Sequence, residues 1–261
     1  IRIFAQLPDD LDVFLRELCH CLLNTPHTVD LEFTEKGSHD QSDRLQRLIQ
    51  EKIDRAEEEG KKYDAILLAY GLCGNSTASI TARSTKVVIP RAHDCCTLFL
   101  GSKLLFKEHF SENPSRAFSS AGYMERGDEY LRDGTDFAKM MGLDKSYEDY
   151  VAEYGEENAK YIMETLAPVL NQTEDDELIY IEIPETEHLG FKEKCREEAI
   201  QANKGFRTLK GNLRLLKALV EGDWSEKEFL VLEPGQKIVP VYDWDEIVRA
   251  GIDGEGFRQN S

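Results

Sequence analysis

YDAILLAYGLCGNSTASITARSTKVVIPRAHDCCTLFLG, from Tyr63 to Gly101, holds two apolar runs of strand length, Tyr63–Tyr70 and Val87–Pro90. Each run ends in a short polar loop that carries cysteine. The first loop contains Cys73 and Asn75; the second contains Arg91, His93, Asp94, Cys95 and Cys96. As parallel neighbours, the two strands would send both loops to one edge of the sheet, where α/β proteins place their sites. Thiols and an imidazole then come within reach of one another.

The flanking sequence supports that reading. Ile1–Gln6 reads as a strand, and Pro8-Asp9-Asp10 opens a helix with Leu11, Leu15, Leu18 and Leu22 on one face. Val29–Thr34 reads as a second strand, followed by the loop Glu35–Asp40. A helix with Leu45, Leu48, Ile49 and Ile53 on its apolar face comes next. Cys96–Phe110 has helical spacing through Leu98, Leu100, Leu104, Leu105 and Phe106. Strands alternating with helices predict an α/β fold: a doubly wound, mostly parallel sheet with helices on both faces. Right-handed crossovers put every strand-to-helix loop on one edge.

Residues 1–110 form the first α/β half in this reading, and residues 111–177 a helical insertion or lid. Residues 178–251 make a second α/β part, with a strand at Leu178–Ile183 whose loop carries Glu185, Glu187 and His188. Helices follow at Phe191–Asn203 and Thr208–Val220. Phe229–Leu232 and Ile238–Val241 flank Glu233-Pro234-Gly235-Gln236, a turn sequence that predicts a C-terminal β-hairpin. Residues 252–261 read as a flexible tail.

Composition narrows the function classes. A chain of 261 residues, 41% hydrophobic, can bury a full core. Its net charge of −18 repels phosphate backbones and argues against nucleic acid. No apolar run reaches the length of a membrane span, and the N-terminal residues do not read as a signal peptide. Six cysteines in a large chain without a secretion signal suit a reducing cytoplasm, where they bind metal, catalyse or pack.

Topology gathers the candidate site. Cys73, His93 and Cys95 form a Cys₂His set that suits zinc and leaves a fourth position open. Sulfur ligands also accept an iron–sulfur cluster. Cys19, His39 and His188 are further candidate ligands or cofactor contacts. Asp94 is placed to orient a ligand or act as a base. Gly71–Ser76 resembles a backbone nest for an anion, with Asn75 and Arg91 beside it. Cys73 or Cys95 with His93 as base is the alternative of a nucleophilic thiol. Cys19 and Cys21 point about 200° apart on a helix, so both cannot serve one site. Cys195 reads as structural. Arg207, Lys210, Arg214 and Lys217 form a basic stripe on one helical face, either solvated or a dock for an acidic partner.

Several of these motifs carry a family resemblance. They are Arg16–Cys21 (RELCHC), Lys36–Asp40 (KGSHD), YGLCGN with PRAHDC, and the closing FLVLEPGQKIV. Together they resemble the domain-of-unknown-function family numbered 1638. Cys73, His93, Cys95 and His39 fall on its motifs, while Ser38 stands where a leucine is expected. The resemblance implies an association with corrinoid-dependent methyl-transfer systems of anaerobes. His93-Asp94-Cys95 is also similar in spacing to the His-x-Cys element of zinc-dependent, thiol-alkylating methyltransferases.

The resulting expectation is a cytoplasmic zinc protein of one-carbon or methyl-transfer metabolism, acting on a small molecule or a corrinoid protein. Asp94 and Arg91 assist the chemistry. The alternatives are a non-catalytic carrier or partner for a corrinoid or iron–sulfur cofactor, and a cysteine-dependent hydrolase.

Overall fold

The fold is that of a computed structural model, which describes residues 1–6, 15–34, 42–58, 60–114, 116–125, 146–154, 156, 160, 177–241 and 243–252. Its first sheet contains β1 (Arg2–Gln6), β2 (Asp30–Thr34), β3 (Ile66–Leu68) and β4 (Val87–Pro90). These run parallel in the order β2-β1-β3-β4, and β8 (Phe229–Leu232) adds antiparallel to β4. The chain winds one way from β1 to β2 and the other way from β3 to β4. The switch point therefore lies between β1 and β3.

Alternation along each strand divides the core into two faces. Ile3, Leu67 and Val88 belong to one apolar cluster. Phe4, Ile66, Leu68, Val87 and Ile89 belong to the other. The second face is covered by Leu45, Ile49 and Ile53 of α2 (Ser42–Glu58), and by Ile238 and Val248. Those last two come from β9 (Gln236–Pro240) and β10 (Val248–Ile252), an antiparallel hairpin. Buried on both faces, the short strands β3 and β4 read as unbroken apolar runs.

The first face is shared with a second, wholly parallel sheet. It is built from β5 (Phe118–Ser120), β6 (Glu177–Glu182) and β7 (Gly205–Lys210), in that order. Phe118, Ile179, Ile181 and Leu209 enter the same cluster as Ile3 and Val88. Between the sheets lie α1 (Leu15–Leu22), α3 (Cys95–Leu100), α4 (Lys103–Phe110) and α8 (Arg214–Glu221). The outer face of the second sheet packs Leu178 and Tyr180 on Cys195 and Ala199 of α7 (Phe191–Gln201), and on Met124 of α5 (Ala121–Glu125). One further helix, α6 (Tyr147–Tyr154), is described in the segment before β6.

Helix α3 links the two sheet edges. Every one of its residues is buried, as expected of a helix that is apolar all round. It starts on Asp94 at the C-terminal end of β4 and stops at Gly101, φ 66°. There Asn212, just past β7, donates its backbone N–H to Phe99 O (3.1 Å) and its side-chain amide to Leu100 O (3.0 Å). A Cβ on Gly101 would come within 2.0 Å of Asn212 Oδ1.

The α/β class, the mostly parallel sheet and the C-terminal hairpin are all present; four expectations change in detail. Phe118–Ser120, inside the expected helical insertion, is a strand too short to show alternation. Thr208–Val220 is not one helix: β7 pairs with β6 along all six residues, Gly211 and Asn212 break the chain, and α8 begins at Arg214. The basic stripe is thereby split, with Arg207 on Glu177, Arg214 on Glu228 and Lys217 near Glu221. The Pro234-Gly235 turn forms, with Gln236 N–H donating to Glu233 O at 3.0 Å. Its two flanking strands nevertheless ladder elsewhere, β8 on β4 and β9 on β10. The expected tail beyond Ile252, and most of the expected insertion, lie outside the described residues.

Replacing Gly101 with alanine forces a side chain into a left-handed position against Asn212. It should lower unfolding free energy by roughly 2–4 kcal/mol in urea denaturation.

Candidate functional site

The loops after β3 and β4 are zipped together by their backbones. Leu72 N–H donates to Ala92 O and Cys73 N–H to His93 O, both at 2.8 Å. Gly71 makes this approach possible: a Cβ there would lie 2.6 Å from Asp94 Cα. Cys73, Gly74 and Asn75 then take three successive positive φ values, 46°, 62° and 68°. Only glycine adopts that region freely, and a non-glycine residue there costs roughly 1–3 kcal/mol. The turn is held by Ser76, whose Oγ donates to Cys73 O at 2.6 Å, and by Thr77 Oγ1 donating to Gly71 O at 3.2 Å. Since the Leu72 and Cys73 amides are engaged by the second loop, they are not free for an anion.

The second loop distributes its side chains among different partners. Arg91 donates through Nε to Glu226 O (2.8 Å) and through Nη1 to Glu246 O (3.0 Å) and Val248 O. It fastens the C-terminal hairpin to the sheet edge. Asp94 caps α3, accepting from Thr97 N–H at 3.1 Å and Thr97 Oγ1 at 3.3 Å. The His93 ring packs on Phe106 (5.3 Å between centroids) and Trp244 (4.8 Å). Its Nε2 is buried without a hydrogen-bond partner. Burial, assisted by nearby Lys103, pushes His93 down to about 4, so the ring is neutral near pH 7.

Cys95 points towards the second sheet. Its Sγ lies 2.8 Å from the hydroxyl of Tyr123 on α5, and either atom can donate. Tyr123 is wedged by Phe99 (6.0 Å) and Phe118 (5.5 Å). The bond joins the element after β4 to the element after β5. Arg16 on α1 makes a second bridge, its guanidinium gripping both oxygens of Glu125 on α5. The C-terminal edges of the two parallel sheets therefore face each other.

Where these edges meet, a cavity of about 430 Å³ opens between α1 and the loop after β6. Leu15, Arg16, Cys19, His20, Leu23, Glu185, Thr186 and His188 line it. Cys19 and His188 are thus brought together, though not with Cys73 or Cys95. Cys19 is exposed and Cys21 buried, as their helical spacing requires. Among the described residues, no three His, Cys, Asp or Glu side chains are placed to share a metal ion. The Cys73–His93–Cys95 loops meet through their backbones, but their side chains do not form a ligand set. His39 lies outside the described residues.

Two functional candidates were not singled out by sequence reasoning. Tyr123 carries no pattern that marks it. Glu17 does: it stands four residues before the buried Cys21 and beside Leu18, on the inward face of α1. Its side chain is 1% exposed, and neither carboxylate oxygen is hydrogen-bonded to another residue. Burial pushes the Glu17 carboxyl up to about 7; a hydrogen bond from its own backbone N–H and the charge of Arg16 offset part of this, while repulsion from Glu125 and Glu185 adds to it. Glu185 Oε2 and the Ser120 hydroxyl are also buried without partners.

The family described as a protein of unknown function, DUF1638, matches residues 33–220. The chain belongs to the DUF1638 family. The matched span of this DUF1638 chain includes Cys73, His93, Cys95, Tyr123, Glu185 and His188. Glu17, Cys19 and the closing FLVLEPGQKIV segment fall outside it. Neither curated proteins nor solved structures give a match. Among the described residues, no helix is long and apolar enough to cross a membrane.

Thiol accessibility follows directly. All six cysteines are free, five are buried, and burial pushes Cys21 and Cys195 up to about 12. Titration of native protein with an aromatic disulfide reagent should give one fast thiol, Cys19, and lose it on Cys19→Ser. Glu17 adds a pH signature. The unfolded carboxyl ionises near its ordinary value of 4.5, whereas the folded one keeps its proton to about 7. Stability therefore falls as pH rises through that window and stays reduced above it. Glu17→Gln should match the parent near pH 4.5 and exceed it at pH 8, by on the order of 3 kcal/mol in urea denaturation.

Proposed function

We propose that this DUF1638 protein binds a small molecule in the cleft between α1 and the loop after β6, which Glu185 lines and behind which the Glu17 carboxyl is buried. The observation that carries the reading is Glu17, a buried carboxyl neither of whose oxygens is hydrogen-bonded to another of the described residues. An unsatisfied buried polar group costs roughly 1–3 kcal/mol. Such groups persist where a bound molecule satisfies them. Support also comes from topology, since the loop after β6 leaves the C-terminal end of a parallel sheet, where α/β sheets bind ligands.

The chemistry this set supports is proton transfer. A carboxyl that holds its proton to about 7 is poised to give or take one near neutrality. A nucleophilic cysteine served by His93 fits less well, because His93 Nε2 reaches no thiol.

One-carbon or methyl transfer at a zinc on Cys73, His93 and Cys95 needs those side chains to regroup. The described residues offer no three-donor set for a zinc ion, and the same geometry disfavours an iron–sulfur cluster. Cytoplasmic residence belongs to the proposal, supported by six free cysteines. A net charge of −18 supports partners other than nucleic acid.

A thermal-shift screen of diverse small molecules at pH 7, on parent and Glu17→Gln, tests the cleft. Molecules that raise Tm in the parent should lose the effect in the variant. Equal stabilisation of both, or no stabilising molecule, would refute the reading. Elemental analysis of untagged protein should find zinc well below one per chain; stoichiometric zinc that disappears on Cys73→Ser would reinstate the metal site.

A further inference from the structure

Charge pairing around the cavity is incomplete. Arg16 lines it, but its guanidinium is taken by Glu125, with Nε donating at 2.6 Å. Glu185 also lines it, and Glu185 Oε2 is buried with no hydrogen-bond partner. Behind this wall Glu17 lies within electrostatic range of both Glu185 and Arg16. Two carboxyls therefore share one neighbourhood whose lining cation, Arg16, is already paired with Glu125. The remaining wall is apolar at Leu15 and at Leu23, which is 78% exposed, with Cys19, His20 and His188 at the rim.

We propose that this cavity takes an organic cation, a primary ammonium on a short alkyl chain, received by Glu185 with Glu17 behind it. The inference rests on the cleft reading and names its ligand class. An ammonium brings three N–H donors and a compact charge, which answers two neighbouring carboxyls. Its alkyl stem lies along Leu15 and Leu23, as apolar walls with few polar anchors suit small ligands. A bare divalent ion lacks a matching cage, since no three acidic, imidazole or thiol side chains among the described residues are placed to hold one. When the ammonium enters, Glu17 loses its reason to stay protonated, so binding releases a proton near pH 7.

Three five-carbon probes of different end charge test this on the full chain: cadaverine, pentane-1,5-diol and glutarate. Isothermal titration at pH 7, at physiological salt and in two buffers of different ionisation enthalpy, reads affinity and proton release together. Cadaverine is expected to bind with proton release, and to weaken about tenfold or more in Glu185→Gln, equivalent to about 1.4 kcal/mol. Glu17→Gln should abolish the proton release, and melting curves check that both variants fold. Absence of cadaverine binding, or binding unchanged by Glu185→Gln, overturns the inference; the latter marks diffuse attraction to an acidic surface. Binding of the diol or glutarate as tightly as cadaverine overturns the cation class while leaving the cleft a ligand site. Failure of the cleft itself is read separately, from the small-molecule screen.

Discussion

The complete burial of α3 is the constraint on which the rest depends. A six-residue helix with no exposed side chain has no solvent face, so it needs apolar partners all round. Sheets on either side supply them, through Ile3, Leu67 and Val88 from one and Phe118, Ile179 and Leu209 from the other. Both ends of the helix must also be satisfied inside the protein. Asp94 does this at the N-terminus and Asn212 with Arg214 at the C-terminus. Because those partners sit at strand C-termini, the two C-terminal sheet edges are forced to face one another.

The polar groups near that junction divide by whether they are satisfied. Arg91, Asp94 and Arg16 have their hydrogen bonds and fix the hairpin, the helix cap and the contact between α1 and α5. Glu17, Glu185 Oε2 and Ser120 do not. Their desolvation works against folding, and for Glu17 the nearby Arg16 offsets only part of it. That asymmetry separates the architectural residues of the edge from those left available to a ligand.

Much of the fold was legible because it follows from local periodicity. The apolar runs at Ile66–Leu68 and Val87–Pro90, and the leucine and isoleucine spacing of α2, are sufficient to place a parallel sheet and its cover. Where the reading departed, a tertiary partner had chosen between local options. Gly205–Lys210 became a strand because β6 was there to pair with it, and Phe229–Leu232 left its hairpin because β4 offered an edge. Phe118–Ser120, with three residues, shows no period at all.

The sequence by itself determined the chemical inventory of the site and that two cysteine loops share one sheet edge, since strand order and handedness follow from patterning. It also determined that Cys19 and Cys21 diverge, which is a matter of helical pitch. Only the tertiary structure decided which side chains face one another. Cys95 meets Tyr123, His93 enters an aromatic slot between Phe106 and Trp244, and Glu17 is buried without a partner. The physical reason is that desolvation and side-chain pairing depend on groups distant along the chain, brought together only when two sheets close on one helix.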